Sequence, residues 1–345
     1  QNLLWGSIVI YIIYTICFVL WRGLSVPILE WDAISTIAFK AKIFFYEKGL
    51  YEHQNMPHTS YPLQVPFSLT WVALNLGQWH EQYVKIIFPT TFLSFLVIQY
   101  TFLKQFTYIK GAVAGVALLL CANFFVYHAT ISYRDFTMLY YNCTTIFLLL
   151  LWHQKKENSF LILAGLFAGF TSFTKLEGTG YLAVQTILFF FILFYGHIRK
   201  PLQKCFTFML PAFGICGIYY VYKILMGISA ASNRLQSKFA ITNLERIPII
   251  IREFSGNLFF SGNWNVLWML LFISFFRYKK IQQHFVIKAV LFSLTSYFLL
   301  YFCIIVFTDN LIWHPTLLSR VILHFFPLSV VSLVLINSSL KGIKN

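Results

Sequence analysis

The chain is built of long apolar runs separated by short polar breaks, and the runs are continuous rather than alternating position by position. A membrane-crossing helix needs ~20 consecutive apolar residues. On that measure the pattern predicts ten spans, at about 3–20, 83–103, 111–129, 136–152, 159–174, 179–196, 204–226, 257–276, 284–307 and 318–338. Continuous runs argue against a β-barrel, whose strands alternate apolar and polar residues. A shorter apolar stretch, 62–77, is expected as an eleventh, re-entrant or interfacial helix. Gln1 leads into the first run without a start methionine or a basic flank, which leaves the true N-terminus open; the run reads as a span rather than a cleaved signal peptide.

Composition supports the pattern. The chain is 59% hydrophobic and 11% charged, with a mean hydropathy of +0.71. That leaves too little polar surface to cover a soluble globule. The expected fold class is all-α: a polytopic transmembrane helix bundle forming a single domain over 1–345, with no separate soluble domain. Cys17, Cys121, Cys143, Cys205, Cys216 and Cys303 fall in or beside apolar runs with no CxxC pair, so they read as small core residues.

Charge orients the array. The net charge of +15 does not imply nucleic acid, because the basic residues occupy short loops between runs, where they report topology and contact with anionic membrane lipid. Alternate loops hold Lys104 and Lys110; Lys155 and Lys156; Arg199, Lys200 and Lys204; Arg277, Lys279 and Lys280; and Lys341 and Lys344. These mark the cytoplasmic side, with both termini inside. The opposite side receives every acidic residue except Glu157, together with the long loops 21–82 and 227–256. Chemistry is therefore expected on the extracytoplasmic side.

The first long loop carries the densest signal. Glu30 and Asp32 open segment 31–49, which places Trp31, Ile34, Ala38, Ala41 and Phe45 on one helical stripe and stops at Gly49. Such a segment is expected to lie in the interface plane. Asp32 falls in its first turn, where the helix dipole favours an anion; it reads either as an N-cap or as a functional carboxylate. Further on, Arg134-Asp135, Lys175-x-Glu177 and Arg320 stand at outer span ends. Each has a plain structural reading: a boundary pair, a polar hairpin tip and a snorkelling side chain. His53, His58 and His80 share a loop with carboxylates but lack metal-ligand spacing.

The order of these motifs is more specific than any one of them. Trp31-Asp32-Ala33, Lys40-Ala41-Lys42, Gly49 and His58-x-x-Tyr61-Pro62-Leu63 are followed by Tyr133-Arg134-Asp135, Thr174-Lys175-Leu176-Glu177-Gly178, and Ser319-Arg320 through Pro327. This series resembles the GT-C superfamily of polytopic glycosyltransferases, in particular the bacterial relatives of dolichyl-phosphate-mannose protein mannosyltransferases and aminoarabinose transferases. The large C-terminal soluble domain of some relatives has no counterpart here.

The resemblance implies a sugar donor linked to polyprenyl phosphate, an acceptor hydroxyl on a glycan, lipid or protein, and a bacterial inner-membrane location. It places the catalytic carboxylate at Asp32, with Glu30 as the fallback and Asp135 as a second acidic residue. His58, Tyr61, Arg134, Lys175, Glu177 and Arg320 are the expected substrate-binding residues. No cofactor is implied, and a divalent metal is left open. Glycosyl transfer from a lipid phosphate needs a carboxylate to take the acceptor proton and cations to stabilise the departing phosphate. Two other readings compete: a lipid-linked glycan polymerase or ligase, and a transporter. A transporter is expected to place ionisable residues near the bilayer midplane, whereas here they gather at span ends.

Overall fold

The computed structural model describes residues 2–50, 58–196, 198, 200–228, 241–307 and 316–340. His53, Arg199, Lys341 and Lys344 lie outside the described residues. In chain order the helices are α1 (Asn2–Ser25), α2 (Phe39–Glu47), α3 (Gln64–Leu76), α4 (Glu81–Val84), α5 (Ile87–Phe106), α6 (Ile109–Leu120), α7 (Asn123–Thr130), α8 (Arg134–Lys155) and α9 (Asn158–Thr174). They continue as α10 (Gly178–Tyr195), α11 (Pro201–Leu225), α12 (Ile247–Phe259), α13 (Leu267–Ser274), α14 (Tyr278–Gln283), α15 (Phe285–Phe307), α16 (Leu317–Leu323) and α17 (Phe326–Asn337). Among the described residues the extended pairing is a single antiparallel bridge, Thr107 with Leu340.

The polytopic helical class stands, but the spans are less uniform than the runs suggest. Among the described residues five are long and apolar enough to cross on their own: α1, the α4–α5 unit, α10, α11 and α15. Two runs are broken: α6 and α7 meet at 75°, and α16 and α17 at 49°. The predicted span 257–276 is divided between the end of α12 and the separate helix α13. The 62–77 stretch becomes α3, which at 13 residues is about 20 Å long and too short to cross.

Breaks at membrane depth free backbone groups that must find partners. The Cys121 carbonyl, at the α6–α7 bend, accepts from Asn265 Nδ2 at 2.5 Å. At the α16–α17 bend, Pro327 starts the new helix, and the His324 carbonyl accepts from Asn142 Nδ2 at 3.0 Å.

The core gathers on α8, whose Leu139, Cys143, Ile146, Leu149 and Leu150 are buried among neighbouring helices. The basic loops come together at one end. There Lys204 donates to Asn158 Oδ1 (2.5 Å), Lys280 donates to the Ser338 carbonyl, and the Thr107–Leu340 bridge closes the bundle. Chain direction sends the end of α1, the start of α8, the α9–α10 turn and the start of α16 to the opposite end, where Asp32, Asp135 and Glu177 lie.

The interfacial helix differs in phase from the pattern. Residues 33–38 form a π turn that runs into α2. Widening the turn rotates the downstream face, so Ile37, Ala41 and Phe44 are buried against α3 and its surroundings, while Ala33 packs with Ile28 and Ala38. Trp31 and Ile34, predicted on the apolar stripe, are instead exposed.

Small residues set the tightest helix pair. Gly165 and Gly169 of α9 face α11, where a Cβ on Gly165 would stand 2.4 Å from the Phe208 carbonyl oxygen and 2.6 Å from Pro211 Cγ. This is small-residue packing at i and i+4, suited to a membrane interior that offers no hydrophobic drive between helices. Gly165→Leu is expected to destabilise the protein by ~1–3 kcal/mol through overpacking. Gly217→Leu, on α11 where a Cβ meets nothing within 4 Å, is the matched control and should be near neutral. Thermal unfolding in detergent compares the two.

Candidate active site

Asp135 sits in the first turn of α8, where the helix dipole favours a carboxylate, and it is fully buried. Both of its oxygens are occupied. Oδ1 accepts from Lys175 Nζ at 3.0 Å and lies 2.9 Å from His324 Nε2. Oδ2 accepts from Arg320 Nε at 3.0 Å and is ion-paired with Arg320 Nη2 at 2.9 Å. One carboxylate thus joins the start of α8, the α9–α10 turn and the α16–α17 bend.

The same arginine reaches further. Arg320 Nη1 donates to Asp32 Oδ2 at 2.8 Å, and the guanidinium lies over the Tyr133 ring at 4.7 Å. Asp32 makes no side-chain cap hydrogen bond. The N-cap reading of this residue is therefore set aside by where its carboxylate goes. Its side chain is 40% exposed, against 0% for Asp135, so the two carboxylates bound by Arg320 differ in access.

Arg134 turns the other way from its neighbour, as adjacent helical residues do. It is buried, donates to Thr36 Oγ1 at 3.2 Å, and lies over the Tyr61 ring at 5.2 Å. The 58–62 turn is fastened from two sides: Lys40 Nζ donates to the His58 carbonyl at 2.7 Å, and the Tyr219 hydroxyl donates to the Ser60 carbonyl. His58 takes a left-handed backbone (φ 53°) and its ring meets Tyr61 at 5.1 Å. Burial, reinforced by the Glu177 charge, raises the Tyr61 phenol above its ordinary pKa and keeps it a neutral hydroxyl.

In the α9–α10 turn, Lys175 also pairs with Glu177 Oε1 at 3.3 Å. Burial alone lowers a lysine, but Asp135 and Glu177 outweigh it and hold the Lys175 ammonium above its ordinary value. For Glu177, burial pushes upward and Lys175 more than offsets it, so the carboxylate stays ionised. Three carboxylates (Asp32, Asp135, Glu177) therefore meet three cations (Arg134, Lys175, Arg320) at one end of the bundle.

Beside this cluster an open apolar groove of about 570 Å³ lies between α3, α5, α8 and α9. Thr137, two residues after Asp135, and Phe173, two residues before Lys175, line it. Gln64 Nε2, donating to the Tyr141 hydroxyl at 3.2 Å, crosses its wall.

The structure brings together eight of the nine residues singled out by sequence. Glu30 stands apart: it lies within electrostatic reach of Lys85 and Tyr127, and its Oε2 is buried with no hydrogen-bond partner. His80 stacks on Tyr83 at 4.0 Å and does not join the cluster either. Among the described residues no group of three or more His, Cys, Asp or Glu side chains is placed to hold a metal ion.

His324 escaped the sequence reading. It is fully buried between Asp135 and the Tyr181 hydroxyl, which is 3.0 Å from its Nδ1. The signal was its spacing: four residues after Arg320 puts it on the same helical face.

No protein-family model and no curated protein matches the chain. Two solved structures share its fold. ArnT from Cupriavidus metallidurans bound to undecaprenyl phosphate aligns at TM-score 0.62 and 12% identity, over 95% of this chain and 60% of that one. ArnT from the same organism in the apo state aligns at TM-score 0.63 and 13% identity, over 95% and 59%. The expected resemblance to aminoarabinose transferases is met at the level of the fold, and the chain spans about 60% of the length of the structures it matches.

The geometry separates an anchoring carboxylate from an open one. Asp135→Asn leaves Lys175 and Arg320 buried with a weakened partner and is expected to destabilise the protein by about 3–5 kcal/mol. Asp32→Asn, at the exposed end of the same arginine, should lose at most about 1 kcal/mol. Thermal unfolding of the two variants in one detergent tests the distinction; equal losses would contradict it.

Proposed function

We propose that this GT-C-like bundle is a membrane glycosyltransferase that moves a sugar from a polyprenyl-phosphate donor to an acceptor hydroxyl on the extracytoplasmic side, with inversion at the anomeric carbon. The observation that carries the reading is Arg320, which fixes the open carboxylate of Asp32 against the buried carboxylate of Asp135. Undecaprenyl phosphate is bound in one of the two ArnT structures that share the fold, and it is the kind of lipid phosphate that a donor of the proposed class would release.

In this reading Asp32 is the general base. The acceptor O–H approaches its free side, the acceptor oxygen bonds to the anomeric carbon, and the proton passes to the Asp32 carboxylate. The bond from that carbon to the phosphate oxygen breaks with its electron pair going to the phosphate. The leaving phosphate gains negative charge in a field set by Arg134, Lys175 and Arg320. Each arginine lies over a tyrosine ring, Arg134 over Tyr61 and Arg320 over Tyr133, so little reorganisation is needed as charge develops. The apolar groove between α3, α5, α8 and α9 offers the isoprenoid chain a path toward the cluster. Asp135 and His324 position these groups rather than exchange protons with substrate, since neither is exposed.

Asp32→Asn removes the proton acceptor while keeping size, and turnover is expected to fall about 10²-fold or more. The assay follows transfer from a polyprenyl-phosphate sugar in liposomes; near-normal turnover would remove Asp32 from the role. Arg320→Lys keeps the charge but cannot hold two carboxylates through a planar fork. It should lower the maximal rate, because Asp32 is released. Arg134→Lys should instead raise the donor concentration needed for half-maximal rate, because it weakens the phosphate field without touching Asp32.

A further inference from the structure

A second groove, of about 400 Å³, lies between α1 and the bent α6–α7 pair. None of its lining residues belongs to the ionic cluster around Asp135. At its inner end the Tyr11 hydroxyl donates to the Leu120 carbonyl at 2.9 Å. At its outer end stands Arg22, in the last turn of α1. From Tyr11 to Arg22 the helix rises about 16 Å at ~1.5 Å per residue. Half of a ~30 Å hydrocarbon core is nearly the same depth.

Arg22 is half-buried and only partly engaged. Its Nε donates to Thr130 Oγ1 at 3.2 Å, and its guanidinium lies over the Tyr127 ring at 5.8 Å. Among the described residues its Nη atoms have no hydrogen-bond partner. Two other charges lie near. The buried Lys85 ammonium donates to the Val26 carbonyl at 2.8 Å, and Glu30 sits within electrostatic reach of Lys85 and Tyr127. Glu81 also acts on Lys85, so that ammonium is countered by two carboxylates, and Arg22 is left as the partly unoccupied cation at the mouth. Exposed side chains of Tyr14 and Asn123 line the wall.

We propose that this groove binds an anionic membrane phospholipid of the outer leaflet, with its phosphodiester on the free Nη atoms of Arg22 and one acyl chain running down toward Tyr11. A guanidinium with unoccupied nitrogens matches phosphate oxygens in pairs, and tyrosine at headgroup level suits the interface. The single-leaflet depth favours an ordinary acyl chain over a long isoprenoid. The groove also lies where lipid has something to do. Only 11% of the apolar window of α1 is buried inside the protein, against 44% for the α4–α5 unit and 50% for α10. A chain seated between α1 and α7 would tie in the least packed helix. The inference does not depend on the proposed transferase activity.

The test is thermal unfolding of the full chain, purified and delipidated in detergent, with phosphatidylglycerol, diacylglycerol of the same chains, or inorganic phosphate added. Phosphatidylglycerol should stabilise at concentrations where the other two do not, since both charge and chain are required. Arg22→Gln should weaken that effect about tenfold or more, in line with a lost charge-assisted contact. Val126→Trp fills the groove without altering charge and should weaken it likewise; it decides the matter alone if Arg22→Gln does not fold. Lys110→Gln, at the far basic end, should change nothing. Equal stabilisation of wild type, Arg22→Gln and Val126→Trp would mean ordinary annular lipid and overturn the proposal. Stabilisation by inorganic phosphate alone would do the same, as would Arg22-dependent displacement of phosphatidylglycerol by stoichiometric polyprenyl phosphate.

Discussion

A carboxylate buried at the end of a membrane bundle sets the terms for everything around it. Asp135 is removed from water, and an isolated buried charge costs several kcal/mol even after the protein relaxes. The cost is offset only if every lone pair is met, and here Lys175, Arg320 and His324 meet both oxygens. Those partners come from segments far apart in sequence, 40 to 189 residues from Asp135. Satisfying one carboxylate therefore fixes the relative placement of α8, the α9–α10 turn and the α16–α17 bend. The bend follows from the same demand, because a straight helix through Pro327 would leave backbone groups unpaired and aim His324 elsewhere.

Arg320 turns this anchor into a site. Its fork is saturated by Asp135 on one edge and still presents Nη1 to Asp32. A lysine, with a single nitrogen on a flexible stem, offers no such rigid span between two carboxylates. The π turn at 33–38 belongs to the same device. By rephasing the segment it buries Ile37 and Ala41 while leaving Asp32 at the edge, and it aligns Thr36 to accept from Arg134. Local irregularity in the backbone of the first long loop thus serves side-chain placement, a common role for π bulges.

Much of this was legible in the chain. Hydrophobic runs give helices, charge bias gives ends, and in a protein with 11 acidic residues each carboxylate at a span end carries information. Motif order then pointed to Asp32, Arg134, Asp135, Lys175 and Arg320 together. What escaped has a common cause. The stripe through Trp31 and Ile34 assumed a regular helix, and one widened turn moved it. The run at 257–276 was read through the polar break Ser261-Gly262-Asn263-Trp264-Asn265, because the apolar residues on either side outweigh it over a span-length window. His324 was passed over because a lone histidine in an apolar run looks like packing until the helix bearing Arg320 is seen to present both to one carboxylate. Glu30 shows the converse: two residues from Asp32 in sequence, it faces a different set of charges, since adjacent turns of an irregular segment diverge.

The division between a sealed and an open carboxylate constrains how such a site is built. A base must be reached by the acceptor, so it cannot be enclosed by enough donors to be strongly anchored. A lone exposed carboxylate, however, would wander over several rotamers and lose orientation. Sharing one guanidinium between the two resolves the conflict, because rigidity is borrowed from the buried partner while one oxygen of Asp32 stays available. Under the proposed function, the arrangement would make stability and activity separable at Asp32 and inseparable at Arg320. It also explains why the cations gather here, since the network that neutralises Asp135 is the same one that would face a departing phosphate.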